Sequence, residues 1–254
     1  MGGISLTEAE VGMRGLQHDR RYMLISSSGR FLSQRQCPQM AHFHLDFNAN
    51  MTGFLVRFHD DVLEIPLEIK INQNQVVEAK IWDDWVSVLV SEKTINDWFS
   101  ERLNQPTRLV YLPNTSLRFS SKGEETMSLA DGYPILIISE ASLEKLNIQI
   151  ANNTRDSKPM EMMRFRPNIL LGNLNPHEED TLGEFQLDEA TLQVVKPCSR
   201  CVLTTLDPIN LQRGEEPLRT LSTYRKFDNK IHFGANVICL KPGLIQVATR
   251  RTTT

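Results

Sequence analysis

Lys196-Pro197-Cys198-Ser199-Arg200-Cys201-Val202-Leu203-Thr204-Thr205 carries two of the chain's four cysteines, with a lysine, a serine and an arginine beside them. Soft thiol ligands and anion-binding donors therefore meet in one short stretch. Four readings are open: half of a zinc site, a thioredoxin-like dithiol, two ordinary buried thiols, or a single thiolate on a soft transition metal. Structural zinc needs two more ligands; there is no second Cys-x-x-Cys, and the close histidine pair is His42-x-His44. A dithiol oxidoreductase places its cysteines at a helix N-terminus, whereas Cys201 to Leu206 is β-branched and reads as a strand, as does Leu192 to Val195 before the motif. In the fourth reading the metal rides on an anionic cofactor. Arg200 would grip its phosphate in bidentate fashion, and Arg166 and Asn168, expected on one face of a strand from Phe165 to Leu171, would form a second clamp.

Around this stretch, 254 residues with 40% hydrophobic content supply core enough for one large domain or two modest ones. Net charge is −3, from 28 basic and 31 acidic residues interspersed along the chain, so no global field recruits nucleic acid or an anionic membrane. Any anion site must be local. Cysteines at 37, 198, 201 and 239 do not form the dense framework of a small secreted domain, and a reducing cytoplasm is the expected setting. No long apolar run or signal-like N-terminus points to a membrane.

Residues 1 to 90 read as short strands separated by turns. Tyr22–Ile25 and Arg30–Leu32 flank Ser26-Ser27-Ser28-Gly29, Phe54–Phe58 and Val62–Ile65 flank His59-Asp60-Asp61, and Val86, Val88 and Val90 alternate after Asp83-Asp84. A helix is predicted over Glu92–Leu103 with Ser91 as N-cap, then a strand over Arg108–Leu112. Pro113 to Gly123 reads as an exposed connection and sets the boundary between a domain at 1–120 and one at 121–254. Asp131-Gly132-Tyr133-Pro134 turns into a buried strand at Ile135–Ile138, and Ser139 caps a helix from Glu140 to Leu146, where free N–H groups can meet an anion. A loop follows over 151–161, a short helix over Leu218–Tyr224, and strands over His232–Leu240 and Leu244–Val247. His18, His59, His177 and His232 lack ligand or triad spacing and read as surface or turn residues; Asp19-Arg20-Arg21 reads as a salt-bridged strand end. The expected class is mostly β, barrel-rich, with a few helices of α+β character.

Together with the opening stretch, Gly15-Leu16-Gln17-His18-Asp19-Arg20-Arg21-Tyr22-Met23-Leu24, Arg35-Gln36, Ser139-Glu140-Ala141-Ser142-Leu143, Phe165-Arg166-Pro167-Asn168 and Glu216-Pro217-Leu218-Arg219-Thr220-Leu221 closely resemble the MOSC family with its N-terminal β-barrel domain. The resemblance covers nearly the whole chain and is nearest to YcbX-like proteins and amidoxime-reducing components. It implies an N-terminal β-barrel domain packed on a MOSC β-barrel domain, and a bound molybdenum cofactor that reduces N-hydroxylated compounds such as hydroxylaminopurines, amidoximes and hydroxylamines. By the same resemblance Cys201 ligates molybdenum and is the catalytic position, and Arg20, Ser139, Arg166, Asn168, Ser199 and Arg200 hold the pterin and phosphate. Cys198 is then a neighbour of the ligand. The family's Pro-x-Lys-Ser cofactor segment would precede Met1, and its pattern continues into a further strand where this chain reads Ala248 to Thr254, so both ends look short. The C-terminal iron–sulfur domain that many YcbX-like proteins carry is not expected here, and a separate ferredoxin- or flavoprotein-like electron donor is. A non-catalytic carrier of sulfur or cofactor, and a truncated relative with an incomplete site, are the alternative functions.

Overall fold

Alternating apolar residues make the first part of the chain a series of short strands: β1 (Glu8–Gly12), β2 (Gly15–Leu16), β3 (Tyr22–Ser26), β4 (Phe43–Phe47), β5 (Gly53–Phe58), β6 (Asp61–Pro66), β7 (Val76–Ile81) and β8 (Asp84–Val90). Helix α1 (Lys93–Leu103) and β9 (Thr107–Tyr111) complete it. The computed structural model describes residues 3–69, 75–120, 125–153 and 158–247. One antiparallel sheet runs β3-β9-β8-β7 and a second runs β4-β5-β6. Leu24, Phe43, Val56, Phe99 and Leu109 close the core between α1 and the strands, and Ile25, Val86, Val88 and Val110 fill the adjoining layer. Each such side chain, once fully buried, contributes about 1.5–3 kcal/mol.

Ser91 does not cap α1. Its N–H still donates to Leu109 O at 2.9 Å, so the chain remains in the sheet there, and Glu92 stands at the helix start without a side-chain cap. Asn96 instead secures that end, donating from Nδ2 to Ser91 O (2.9 Å) and accepting from Leu109 N at Oδ1 (2.8 Å).

The second part comprises β10 (Ile135–Ser139), α2 (Glu140–Asn153), β11 (Ile169–Leu171), β12 (Glu184–Leu187), β13 (Ala190–Ser199), α3 (Leu218–Ser222), β14 (Lys226–Phe227), β15 (Lys230–Lys241) and β16 (Gly243–Gln246). Its sheet runs β11-β10-β15-β13-β12, with β14 also on β15. Strands β10 and β11 are parallel and linked through α2, while the other pairs in this sheet are antiparallel. Helix α2 outruns its expected end because Ile150 repeats the buried face of Leu146 one turn later. Gly234 (φ 75°) lets β15 press against β10: a Cβ there would lie 2.6 Å from Ile137 O. The fold is mostly β, as the sequence predicts. No helix is long and apolar enough to cross a membrane among the described residues.

Two features tie the halves together. Strand β16 pairs with β1, so the sheet β16-β1-β2 is built from both ends of the described chain and its first strands side with the second half. Gly15 (φ 103°) lies against the turn before β10, where a Cβ would meet Pro134 O at 2.8 Å. The further strand expected beyond Val247 falls at residues 248–254, outside the described residues.

The connection expected to be exposed is not so throughout. Arg118 is buried, donating to Ser128 O (3.1 Å), to Ala130 O and, through Nε, to Asp84 Oδ2 (3.1 Å). Desolvation lowers its pKa from the ordinary arginine value, and Asp84 opposes that shift. Arg118→Met would orphan two buried carbonyls, and the expected loss is about 3 kcal/mol, read as a lower midpoint in urea.

Candidate functional site

The site begins where β13 stops being regular. Beyond a first shift between Thr191 and Leu192, register shifts on its pairing with β15 fall between Val194 and Lys196 and between Pro197 and Ser199. Pro197 has no N–H for the ladder, and bulges of this kind turn a strand and re-aim its side chains. Arg200 N still donates to Ile231 O (2.7 Å); the chain then leaves the sheet at Cys201. Val202–Thr205 is a 3-10 turn rather than the expected strand. Its first carbonyl is held by Thr204, whose N and Oγ1 reach Cys201 O at 3.2 and 3.0 Å, which outweighs β propensity. Cys201 is half-buried and free, with its thiol in no hydrogen bond among the described residues.

Arg200 is anchored from below. It donates from one terminal nitrogen to Phe165 O (2.7 Å) and from the other to Cys198 Sγ (3.2 Å), and its guanidinium lies 5.6 Å from the Phe165 ring centroid. Phe165 is fully buried against Phe233, with ring centroids 4.4 Å apart, so the anchor is rigid. The Nε of Arg200 is buried without a partner. Ser199 stands exposed at the end of β13, opposite His232.

Arg166 and Asn168 do not share a strand face. A 3-10 turn at Met162–Arg164 precedes them, Arg166 is left-handed (φ 56°), and strand pairing begins only at Ile169. A non-glycine residue held there costs about 1–3 kcal/mol, and such strain clusters at functional sites. Asn168 is a connector: its Oδ1 accepts from Leu136 N (3.0 Å) and from Arg20 (3.0 Å), and its Nδ2 donates to Asp19 Oδ2 (2.8 Å). Arg20, itself left-handed (φ 48°), donates to Asp19 (2.6 Å) and to Arg166 O (3.3 Å), while Leu129 N holds its carbonyl. Residues almost 150 positions apart are thus locked together.

The outcome is a cation cluster. Arg166 is exposed to solvent, with its carbonyl held by Arg20 and with Asp19, Asp131 and Arg200 near enough to act on its charge. Crowding by protein atoms lowers its pKa, Arg20 and Arg200 push the same way, and Asp19 and Asp131 oppose them. An arriving anion would relieve the repulsion. A phosphate suits this set, and the Cys201 sulfur suits a soft metal carried beside it. Among the described residues no group of three His, Cys, Asp or Glu side chains is placed to hold a metal ion, so a metal here would draw its remaining ligands from a cofactor.

Ser139 ends β10. It is fully buried, and its hydroxyl caps α2, accepting from Ser142 N (3.1 Å) and donating to Ser142 Oγ (2.7 Å). Ser142 in turn donates to both carboxylate oxygens of the fully buried Glu179 (2.7 and 2.9 Å), and Ser139 N–H donates to Oε1 (3.2 Å). At the place expected for an anion, the Ser139 N–H is met by an internal carboxylate and the Ser142 N–H by the Ser139 hydroxyl.

His232, expected at the surface, is buried, because β14 folds over it and stacks Phe227 on its ring at 3.8 Å. His177 is half-buried near Tyr224 and Phe233, with both ring nitrogens unpartnered. Burial, followed by Arg225, pushes its pKa down to about 4 against Glu179. The folded state thus favours the neutral ring. The stabilising effect is complete above about pH 6.5 and fades as pH falls toward 4, a loss of about 2 kcal/mol after allowance for solvent screening. His177→Phe is expected to flatten the fall in thermal midpoint between pH 7 and pH 4.5.

The MOSC domain description matches residues 124–250, and the MOSC N-terminal beta barrel domain description matches residues 1–106. The chain belongs to the MOSC family. It is 28% identical over 266 residues to mitochondrial amidoxime-reducing component 1 of Homo sapiens, covering 96% of this chain and 77% of that protein. It is 25% identical over 249 residues to the molybdenum cofactor sulfurase of Oryza sativa subsp. japonica, covering 91% of this chain but 30% of that protein. The chain therefore spans under a third of the sulfurase. The crystal structure of YiiM from Geobacillus stearothermophilus aligns at 19% identity over 45% of this chain and 50% of its own, with a TM-score of 0.32.

Within the MOSC half, Arg200 beside Cys201 is anchored on the Phe165 carbonyl next to Arg166, and Arg20 reaches the Arg166 carbonyl from the other half. Sequence reading missed Asp131, taken only as part of a turn, and Phe165, the seat of Arg200. It also missed Glu179, which carries no motif.

Proposed function

We propose that this MOSC protein binds molybdenum cofactor at Cys201 and reduces N-hydroxylated compounds to amines or amidines. The observation that carries the reading is a half-buried, unengaged Cys201 thiol next to Arg200, whose buried Nε lacks a partner and whose charge, with that of Arg20, acts on Arg166. When bound, the cofactor supplies a metal able to exchange two electrons. The balance is R–NHOH plus two electrons and two protons giving R–NH2 and water, with electrons from a separate ferredoxin- or flavoprotein-like donor.

The chain's own residues bind and orient. Cys201 offers its sulfur to the metal. Arg200, held by Phe165 O, and Arg166, exposed to solvent, offset the phosphate and pterin charge, while Ser199 borders the site from the end of β13. Arg20, Asp19 and Asn168 hold the two halves in register. Similarity to a molybdenum cofactor sulfurase supports a second reading, delivery of sulfur or cofactor. Purified protein loaded with cofactor separates the two. Reduction of an amidoxime with reduced viologen as donor supports the first; sulfur or cofactor transfer to an acceptor, without reduction, supports the second.

A further inference from the structure

We propose that residues 207–213 form a strap by which the N-terminal half holds the Cys201 turn closed and limits access to its sulfur, an inference that deepens the cofactor-binding reading above and rests on it. The strap continues directly from the 3-10 turn Val202–Thr205. It is a narrow hairpin: Asp207 N–H donates to Gln212 O (2.8 Å), Leu206 pairs with Arg213, and Gly214 N–H donates back to Thr205 O (3.1 Å). Leu206 N–H donates in turn to Leu203 O (3.2 Å), and Thr204 N–H to Cys201 O (3.2 Å). A chain of backbone bonds thus runs from the strap to Cys201, so a displacement of the one reaches the other.

Hydrophobic burial does not hold the strap's tip. Ile209 is 80% exposed, and Leu211 is left-handed (φ 61°), a conformation that bulky side chains rarely adopt. Polar bonds hold it instead. Asp207 Oδ1 accepts from Ile209 N (2.8 Å) and Asn210 N (3.3 Å), which sets the direction of the Ile209 carbonyl. That carbonyl accepts from His42 Nε2 at 3.2 Å, a bond in which the imidazole has to be the donor. His42 ends the 3-10 turn Pro38–His42, and the His59 ring, 5.5 Å away and tilted by 67°, braces it. A second latch stands at the root, where Arg213 donates to Arg35 O (3.0 Å). His42 and Arg35 both belong to the N-terminal half, so a hairpin of the MOSC half is tied across to it by two exposed hydrogen bonds. Arg164 adds only a long ion pair to Asp207 (3.9 Å). Exposed bonds open readily because water replaces either partner, which makes the strap an element of low local stability beside a half-buried thiol.

The test reads alkylation of Cys201 by iodoacetamide in unloaded protein, resolved by peptide mass spectrometry, since trypsin cuts after Arg200 and separates Cys201 from Cys198. His42→Ala is expected to speed alkylation of Cys201 about fivefold, and Arg213→Ala to do likewise, each through the loss of one latch. The buried Cys239 should keep its wild-type rate in both variants. His42→Gln retains a side-chain N–H for the Ile209 carbonyl and should bring Cys201 back to within about twofold of wild type. An unchanged Cys201 in either alanine variant, a His42→Gln protein as reactive as His42→Ala, or an equal rise at Cys239 overturns the proposal. Loading with molybdenum cofactor separates the strap from the reading beneath it, because that reading expects the loaded wild type to resist alkylation at Cys201. Latch effects without this protection remove the cofactor reading alone, protection without latch effects removes the strap alone, and absence of both removes both.

Discussion

Cys201→Ser is expected to leave the protein folded while molybdenum retained after cofactor loading falls below about a tenth of the wild-type amount, with reduction slowed by at least about a hundredfold. The fold should tolerate the change. Cys201 lies two residues beyond the end of β13, its thiol is in no hydrogen bond among the described residues, and the 3-10 turn after it is held through its carbonyl, which serine keeps. What serine removes is the soft sulfur donor. Metal content by mass spectrometry, read beside an unchanged circular dichroism spectrum, isolates that loss. Wild-type metal retention in Cys201→Ser would remove Cys201 from the proposed role, and Cys198→Ser serves as the neighbouring control.

Arg200→Ala carries the second large effect. The guanidinium makes charge-assisted bonds to Phe165 O and Cys198 Sγ, and its third nitrogen is buried without a partner. Loss of this anchored cation from an anion site corresponds to about 3 kcal/mol, roughly a hundredfold in cofactor affinity. Orphaning Phe165 O should add a stability loss of about 1–2 kcal/mol, visible in urea unfolding without cofactor. Arg200→Lys keeps the charge but not the fork, so it should recover only part of the affinity. Cofactor affinity equal to wild type in both variants would place the anion elsewhere.

Much of the site's chemistry was legible because it is local. Cys198-x-x-Cys201 with Arg200 between states its donor types in adjacent residues, and Ser139 before Glu140 announces a helix cap from sequence alone. What those donors face was not legible. Asn168 looked like a ligand on a strand, yet its carboxamide is consumed by Leu136, Arg20 and Asp19. Ser139 was placed correctly in the fold, but the carboxylate that meets its N–H comes from Glu179, forty residues on. Val202–Thr205 has strand composition and folds as a turn because the threonine side chain and backbone satisfy the Cys201 carbonyl locally.

By itself the sequence determined the mostly β class, the β5-β6 hairpin, α1 and the residues that make the site chemically distinctive, since periodicity and donor type are properties of neighbouring positions. Only the tertiary structure decided that β1 belongs with β16, that Arg20, Arg166 and Arg200 converge, and that Trp82 meets Asp131 across the two halves. These depend on strand pairing and on charge brought together over long separations. No local pattern encodes them, because the free energy that selects them is released only when the sheets have closed.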